Sequence, residues 1–322
     1  MKTSRLPKFI LTASVAVICS FAAGPVEAVT TTALVNNAGT TQLLNFDSAT
    51  PGTIIGSAVT INGLTVGQTL VGIDYRPADA LLVGLGYNSV TGASNVYTIS
   101  LSTGLATSIN TLTLSTGLAR VMADFNPTAN ALRVTTSGAT GNNLRVPTGG
   151  TGALTTDTDL NPANIGIRAT AYSRDNAGGG TGGATTLYAI DGTNGSLVNQ
   201  GSVDFPTGGA ISPNTGTLTQ IAALSGALVG LPGALSVVGF DIFNTPGTAA
   251  TSPGTAFLAT TTGAFDTLNL ATAVTANVGT IGGTYTNIVD VAIVPEPASI
   301  ALLGVAAAGL VARRNRRKTV AA

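Results

Sequence analysis

The 322-residue chain has no histidine and no tryptophan, and its single cysteine, Cys19, lies in an apolar stretch near the N-terminus. Lysine and glutamate are almost as scarce: Lys2, Lys8 and Lys318 are the only lysines, and Glu27 and Glu296 the only glutamates. Between residues 29 and 294 there is therefore no imidazole, thiol or ammonium group, and most proton-transfer and nucleophile-activating apparatus is missing. That span also has no disulfide and no thiolate metal ligand, so its stability must come from a packed core. It carries twelve aspartates against six arginines, a net charge of minus six inside a chain that is formally neutral overall. An acidic domain of this kind makes a poor partner for phosphate backbones, which argues against nucleic acid.

What is present is most distinctive at the two ends. Met1–Lys8 carries Lys2, Arg5 and Lys8, Phe9–Ala23 is an apolar core, and Val26-Glu27-Ala28 supplies small residues around a cleavage point. This pattern predicts a secretory signal peptide over residues 1–28, cut after Ala28 by signal peptidase. The absence of an Arg-Arg pair in its basic region points to the general secretion machinery.

At the other end Pro295, Glu296 and Pro297 hold the backbone extended and block a helix from running upstream. The apolar run Ala298–Ala312 follows, and it stops at Arg313, Arg314, Arg316, Arg317 and Lys318. Fifteen helical residues reach only roughly 22 Å against a bilayer core of about 30 Å. The expectation is a short transmembrane helix whose cations snorkel on the cytoplasmic side, leaving everything before Pro295 outside. The alternative is a short buried helix with a solvated basic end.

This three-part tail, Val294-Pro295-Glu296-Pro297, the apolar Ser299–Val311 and the Arg313–Lys318 cluster, closely resembles the PEP-CTERM sorting signal of Gram-negative bacteria. The resemblance implies an exosortase-type membrane protease as partner, transient inner-membrane anchoring, and a destination at the cell surface or in the extracellular matrix. The domain plan is thus a signal peptide over 1–28, a main domain over 29–293 and a sorting signal over 294–318.

The main domain reads as all-β. Apolar and threonine-rich runs of strand length are separated by Gly, Asn, Asp, Pro and Ser, and no stretch sustains a capped helical period. The recurrence of Leu, Ile, Val and Phe at strand spacing argues against disorder, despite 41 glycines. Val71-Gly72-Ile73-Asp74-Tyr75-Arg76-Pro77 is echoed by Val121-Met122-Ala123-Asp124-Phe125-Asn126-Pro127, and more faintly by Val238-Gly239-Phe240-Asp241. Hairpin signals such as Val96–Ile99 with Ser102-Thr103-Gly104, and Leu187–Asp191 with Asn194-Gly195, recur between them.

A period of about 50 residues made of several short strands is the signature of propeller blades. Inner strands are expected near residues 71, 121, 167 and 238, with Ile288–Ile293 closing the ring against the hairpin at 31–47. The fold class is a single propeller-like domain of five blades, with six as the alternative count and an open pair of β-sandwiches as the alternative architecture. The interval from 167 to 238 contains Gly178–Gly183 and a hairpin-like Ile211–Leu218, and so either carries insertions or hides a further blade.

The segments Gly72–Pro77, Asp124–Pro127 with Leu132-Arg133-Val134, Asn142–Arg145 and Thr186–Asp191 are similar to a family of bacterial exported proteins, domain of unknown function 4394. That family often has Leu-Tyr where this chain has Leu81-Leu82 and Ala33-Leu34. No activity follows from the resemblance.

Candidate sites rest on chemistry alone. Asp74 and Arg76 stand two apart on one strand face, and Asp124 and Asn126 repeat the arrangement. One reading is a polar ring around the channel that binds a sugar or an ion. The other is that these groups satisfy turn amides ahead of Pro77 and Pro127. Asp157-Thr158-Asp159 has the alternate carboxylates of a calcium loop but none of the remaining ligands, so calcium is a weak candidate and no cofactor is expected. A glycosidase would need two carboxyls at a fixed separation, which sequence cannot place. Gly178–Gly183 has neither a lysine nor a following helix, and reads as a loop instead of a phosphate cradle. Two functions remain: a non-enzymatic surface or matrix protein, or a module that binds exopolysaccharide or an ion. The lack of tryptophan for stacking on sugar rings favours the first.

Overall fold

The computed structural model describes residues 28–294, except 78, 149–152, 163–165, 174–184, 203–210, 230–235, 245–253 and 284. Apart from Ala28, the expected signal peptide lies outside the described residues, as do the sorting tail from Pro295 onward and the Gly178–Gly183 loop. Among the described residues no helix is long and apolar enough to cross a membrane.

The chain forms five sheets in succession. Three strands, β1 (Thr30–Asn37), β2 (Thr40–Asp47) and β3 (Val59–Thr60), begin the first blade. The second holds β4 (Thr69–Arg76), β5 (Leu81–Tyr87), β6 (Ala93–Ile99) and β7 (Ala106–Thr113). The third holds β8 (Val121–Asn126), β9 (Ala131–Thr136), β10 (Asn143–Pro147) and β11 (Thr155–Thr156). The fourth holds β12 (Ile167–Tyr172), β13 (Leu187–Asp191), β14 (Ser196–Gln200) and β15 (Leu218–Ala223). The fifth holds β16 (Ser225–Gly226), β17 (Val237–Phe243), β18 (Thr255–Thr260), β19 (Ala264–Leu268) and β20 (Val274–Thr280).

The last strand, β21 (Ile288–Ile293), returns to the first blade and pairs antiparallel with β1, from Thr31 opposite Ile293 to Val35 opposite Ile288. The inner strands β21, β4, β8, β12 and β17 pack each against the next, and β17 against β21, which closes a ring. Closure leaves no sheet face uncovered and ties the two ends of the domain together.

Local chemistry explains the hairpins. Between β1 and β2 a two-residue turn places both Ala38 (φ 49) and Gly39 (φ 83) in the left-handed region, the geometry whose twist matches paired strands. Strand faces stack blade on blade, so both faces are buried and the inner strands read as nearly continuous apolar runs. Each seam between blades has its own apolar cluster. Phe46, Phe257 and Phe265 anchor the seam of blades five and one, with Phe46 edge-on to Phe265 at 5.1 Å and Phe257 stacked on it at 5.3 Å. Among the described residues the cluster at the seam between blades three and four is the smallest, made of Met122, Leu160, Ile167, Ala189, Val198 and Leu218.

The chain crosses from blade to blade by strapping the outer edge of the blade it is about to enter. Asn62 bridges Leu105 in parallel, Asn161 bridges Thr217, and β16 pairs in parallel with β20. The count is five blades, not six, and the long interval from 167 to 238 is one blade. Ile211–Leu218 is not a hairpin: Pro213–Thr215 forms a 3-10 turn capped by the Ser212 side chain, and the chain then enters β15.

Candidate functional site

The repeat seen in the sequence turns out to be the lining of the propeller axis. Asp74, Asp124 and Asp241 occupy one level on β4, β8 and β17, while Ala171 and Ala292 occupy it on β12 and β21. Each aspartate reaches forward to the next blade and accepts a hydrogen bond from the backbone N–H one residue past its own level. Asp74 accepts from Phe125, Asp124 from Tyr172 at 2.8 Å, and Asp241 from Ile293 at 2.6 Å. Asp290 sits two residues earlier, at the level of Gly72, and follows the same rule by accepting from Ile73 at 2.9 Å.

Four of the five seams are thus stitched by a carboxylate, and the seam from β12 to β17 has Ala171 in that place. The physical need is plain: an inner strand is a sheet edge whose N–H groups must find acceptors once buried. Glycine permits the close approach. A Cβ on Gly239 would stand 2.7 Å from the amide of Val291, and one on Gly72 would stand 3.3 Å from a carboxylate oxygen of Asp290.

This stitching crowds negative charge. Carboxylate oxygens of Asp74, Asp124 and Asp241 all lie within 4.8 Å of one another, and all three residues are buried. Burial, and then the charge of Asp241, hold the Asp74 carboxyl well above the usual carboxylate range. Burial lifts Asp241 to about 6 against the pull of its two backbone donors. Asp290 is pushed well up by burial, with the Asp241 charge adding to the rise and Arg120 opposing it.

The sign of the pH dependence follows. A carboxyl whose folded pKa is raised keeps its proton in the native state after the unfolded chain has lost it. Its contribution to stability is full below about pH 4 and is lost as pH rises through the folded value near 6 for Asp241. The melting temperature is expected to fall between pH 4 and pH 7, by an amount corresponding to roughly a few kcal/mol, the reverse of ordinary acid denaturation. A melting temperature that rises over that interval would contradict the crowding.

Four inner strands carry a bulge at one common position, with Val71, Arg168, Val238 and Val289 as the extra residues. A bulge turns a side chain out of the alternation, and the three valines face the channel. Together with Val121, Arg120, Thr170 and Asp290 they surround a cavity of about 20 Å³ on the axis. Five of its lining residues, Val71, Arg120, Val121, Val238 and Val289, also line a wider, more open recess of about 260 Å³. Arg120 donates to the carbonyl of Arg168 at 2.6 Å, and burial followed by the Arg168 charge lowers its pKa to about 10.

Of the residues singled out in the sequence, the structure brings Asp74 and Asp124 together and sets Arg76 and Asn126 apart. Arg76 pairs with Asp79 and donates to the carbonyl of Thr148 at 2.6 Å. Asn126 accepts from the amides of Thr128 and Ala129, as a turn cap does. Asp157 is held between Arg133 and Arg145, each at 2.7 Å, and Asp159 accepts from Gly141 and Asn142. Asp241 was legible only as the faint third echo of the repeat. Asp290 was not legible, because it stands two residues out of phase with the others.

An axis lined by inward carboxylates and ringed by five four- or five-stranded blades makes the protein a β-propeller. It belongs to the family described as Domain of unknown function (DUF4394), whose model matches residues 42–292. The PEP-CTERM protein-sorting motif matches residues 294–317 and marks an exported, cell-surface protein with an exosortase-type processing system as partner. No curated protein matches the chain.

Among solved structures, a protein of unknown function from Bacteroides thetaiotaomicron VPI-5482 aligns at 12% identity and a TM-score of 0.49, over 84% of this chain and 68% of its own. An auxiliary nutrient binding protein from Bacteroides ovatus ATCC 8483 aligns at 10% identity and a TM-score of 0.45, over 76% of this chain and 52% of its own. The chain therefore spans about half the length of that second protein.

Proposed function

We propose that the protein is a non-enzymatic structural component of the cell exterior, delivered by the general secretion machinery and then released from the inner membrane by cleavage at Pro295-Glu296-Pro297. The observation that carries this reading is where the ring ends. Val294 is buried, and its amide donates to the carbonyl of Thr30 at 2.9 Å, while the sorting motif continues from Pro295. A protease acting at or beyond Pro295 would cut past the last strand, β21, and would leave every strand of the ring in place. The short apolar segment suits a holding step better than a permanent anchor.

The sugar-binding alternative is weakened by where the tyrosines sit. Tyr75, Tyr87, Tyr97, Tyr172 and Tyr188 are buried, the hydroxyls of Tyr87 and Tyr97 are engaged by Ser115 and Gln68, and the half-buried Tyr285 packs against the apolar cluster of blades five and one. The five buried rings offer no faces for stacking on a polysaccharide.

Mass spectrometry of the surface-extracted protein tests the reading. The expected C-terminus lies near Pro295, and mature protein retaining peptides through Arg313 would rule cleavage out. Saturable exopolysaccharide binding that is lost on changing Asp74 and Asp124 would overturn the structural role.

A further inference from the structure

We infer that the open recess at the mouth of the channel binds a small organic monocarboxylate, its acid on the Arg120 guanidinium and its apolar body against the valine collar. The walls come first. Val71, Leu118, Val121, Val238, Ile288 and Val289 line a space of about 260 Å³, and Arg120 is the one charged group among its described lining residues. The Tyr87 hydroxyl also borders the space, but it is spent, donating to the carbonyl of Ser115 at 2.8 Å and accepting from the amide of Leu118 at 3.1 Å. Mostly apolar walls with very few convergent polar groups are the usual form of a small-molecule site. A cavity of roughly 150 Å³ holds the six carbons of benzene, so this one takes about ten non-hydrogen atoms.

The bulges create the apolar half of the site. Val71, Val238 and Val289 are the extra residues of three inner strands, and Val71 and Val289 remain only half-buried. Aliphatic side chains are thus left facing water at a place where a cation is partly withdrawn from it, the reverse of ordinary surface chemistry. A ligand with one charged end and one apolar end covers both.

Arg120 supplies the charged half. Among the described residues its guanidinium makes one hydrogen bond, to the carbonyl of Arg168 at 2.6 Å, and its buried Nε has no partner. No carboxylate of the described residues stands within 4.0 Å of it, since the ion pairs there are Arg76 with Asp79, and Arg133 and Arg145 with Asp157. Asp290 acts on it from farther away, lining the smaller cavity but not the recess, and Arg168 adds a second positive charge. With its pKa lowered only to about 10, the group stays a cation at neutral pH. A carboxylate presents two oxygens to a guanidinium fork that has donors unused.

Access does not depend on the fate of the sorting tail. Val71, Val121, Val238, Ile288 and Val289 all stand at or near the first residues of their inner strands. Both chain ends lie at the other end of the ring, where the amide of Val294 meets the carbonyl of Thr30. The rival arrangement is a mouth filled by solvent alone, with Arg120 acting only as a strut for the Arg168 carbonyl.

Calorimetric titration of the full chain with sodium octanoate at pH 7.5 separates the two. One octanoate per chain is expected, with a dissociation constant of about 0.01–1 mM, the scale that ten or so non-hydrogen atoms supply. Octanol, which has the same tail without the charge, should bind at least about tenfold more weakly, and acetate should give no heat. No saturable heat from octanoate at about 10 mM would overturn the assignment, and so would octanol or acetate binding as well as octanoate.

Two variants locate the site. Arg120→Gln should weaken octanoate at least about tenfold. Ala119→Glu changes an exposed residue that lines the recess, so the fold is spared while an anion is set at the mouth, and about fivefold weaker binding is expected. Neither substitution touches the apolar tail. Wild-type affinity in Ala119→Glu, or in a folded Arg120→Gln, would place the acid elsewhere on the chain and defeat the inference.

Discussion

A chain ending at Asn287 is expected to show no cooperative unfolding transition, whereas a chain ending at Val294 should melt like the intact domain. Seven residues decide the difference because six of them form β21, the inner strand of the first blade and the partner of both ring neighbours. It buries Ile288, Val291 and Ile293 to within 2% of full burial. At about 1.5–3 kcal/mol for each large apolar side chain, these three alone approach the roughly 5–15 kcal/mol by which a domain is stable. Their loss also opens the β1 edge, from Thr31 to Val35, and removes the acceptor Asp290 for Ile73 and the donor Ile293 for Asp241. The aromatic cluster of Phe46, Phe257 and Phe265 would then face water on one side. Circular dichroism melts of the two truncations provide the measurement. Equal melting temperatures would mean that the ring is not closed through β21.

The same strand shows what sequence can and cannot reveal in this fold. Its role was legible, because residues 31–47 offer a hairpin without an inner strand and Ile288–Ile293 is an inner strand without a hairpin. The inner strands β4, β8 and β17 were legible because a valine followed three residues later by aspartate recurs in them, at 71, 121 and 238, whereas β12 (Ile167–Tyr172) carries neither residue and was legible only from its place in the order of blades. What the aspartates do was not. Alternation along β4 puts Asp74 and Arg76 on one face, but the turn at Pro77 swings Arg76 to Asp79, while Asp74 stays on the axis. The bulges at Val71, Arg168, Val238 and Val289 leave no mark in composition, yet they set which side chains line the cavity. Convergence of Asp74, Asp124 and Asp241 depends on residues as far apart as 167 positions meeting across three blades, and no local period encodes that.

Arg133→Ala is expected to cost about 3–5 kcal/mol, the range for removing one partner from a buried charged network. Arg133 is 1% exposed and was visible beforehand only as a member of the family pattern. Its guanidinium donates to Tyr172 at 3.2 Å, Asn143 at 2.6 Å, Asp157 at 2.7 Å and Asn214 at 2.6 Å. Asn143 and Asp157 belong to the third blade and the loop leaving it, Tyr172 and Asn214 to the fourth, so the side chain clamps the seam with the smallest apolar cluster. Where apolar area is short, a satisfied polar network supplies the contact, and its loss cannot be absorbed by the six apolar residues beside it. Truncation would leave the Asn214 side-chain amide oxygen without its Arg133 donor and Asp157 with Arg145 as its one remaining arginine among the described residues. For a domain of this size the loss corresponds to a fall in melting temperature of roughly 10 °C. Arg145→Ala supplies the contrast, since that side chain is 34% exposed and its pair with Asp157 is screened, so about 1 kcal/mol or less is expected. Differential scanning calorimetry of both variants at pH 7 measures the gap. If Arg145→Ala proved as damaging as Arg133→Ala, the clamp would reside in the exposed pair, and the third seam would owe its stability to something other than the buried guanidinium.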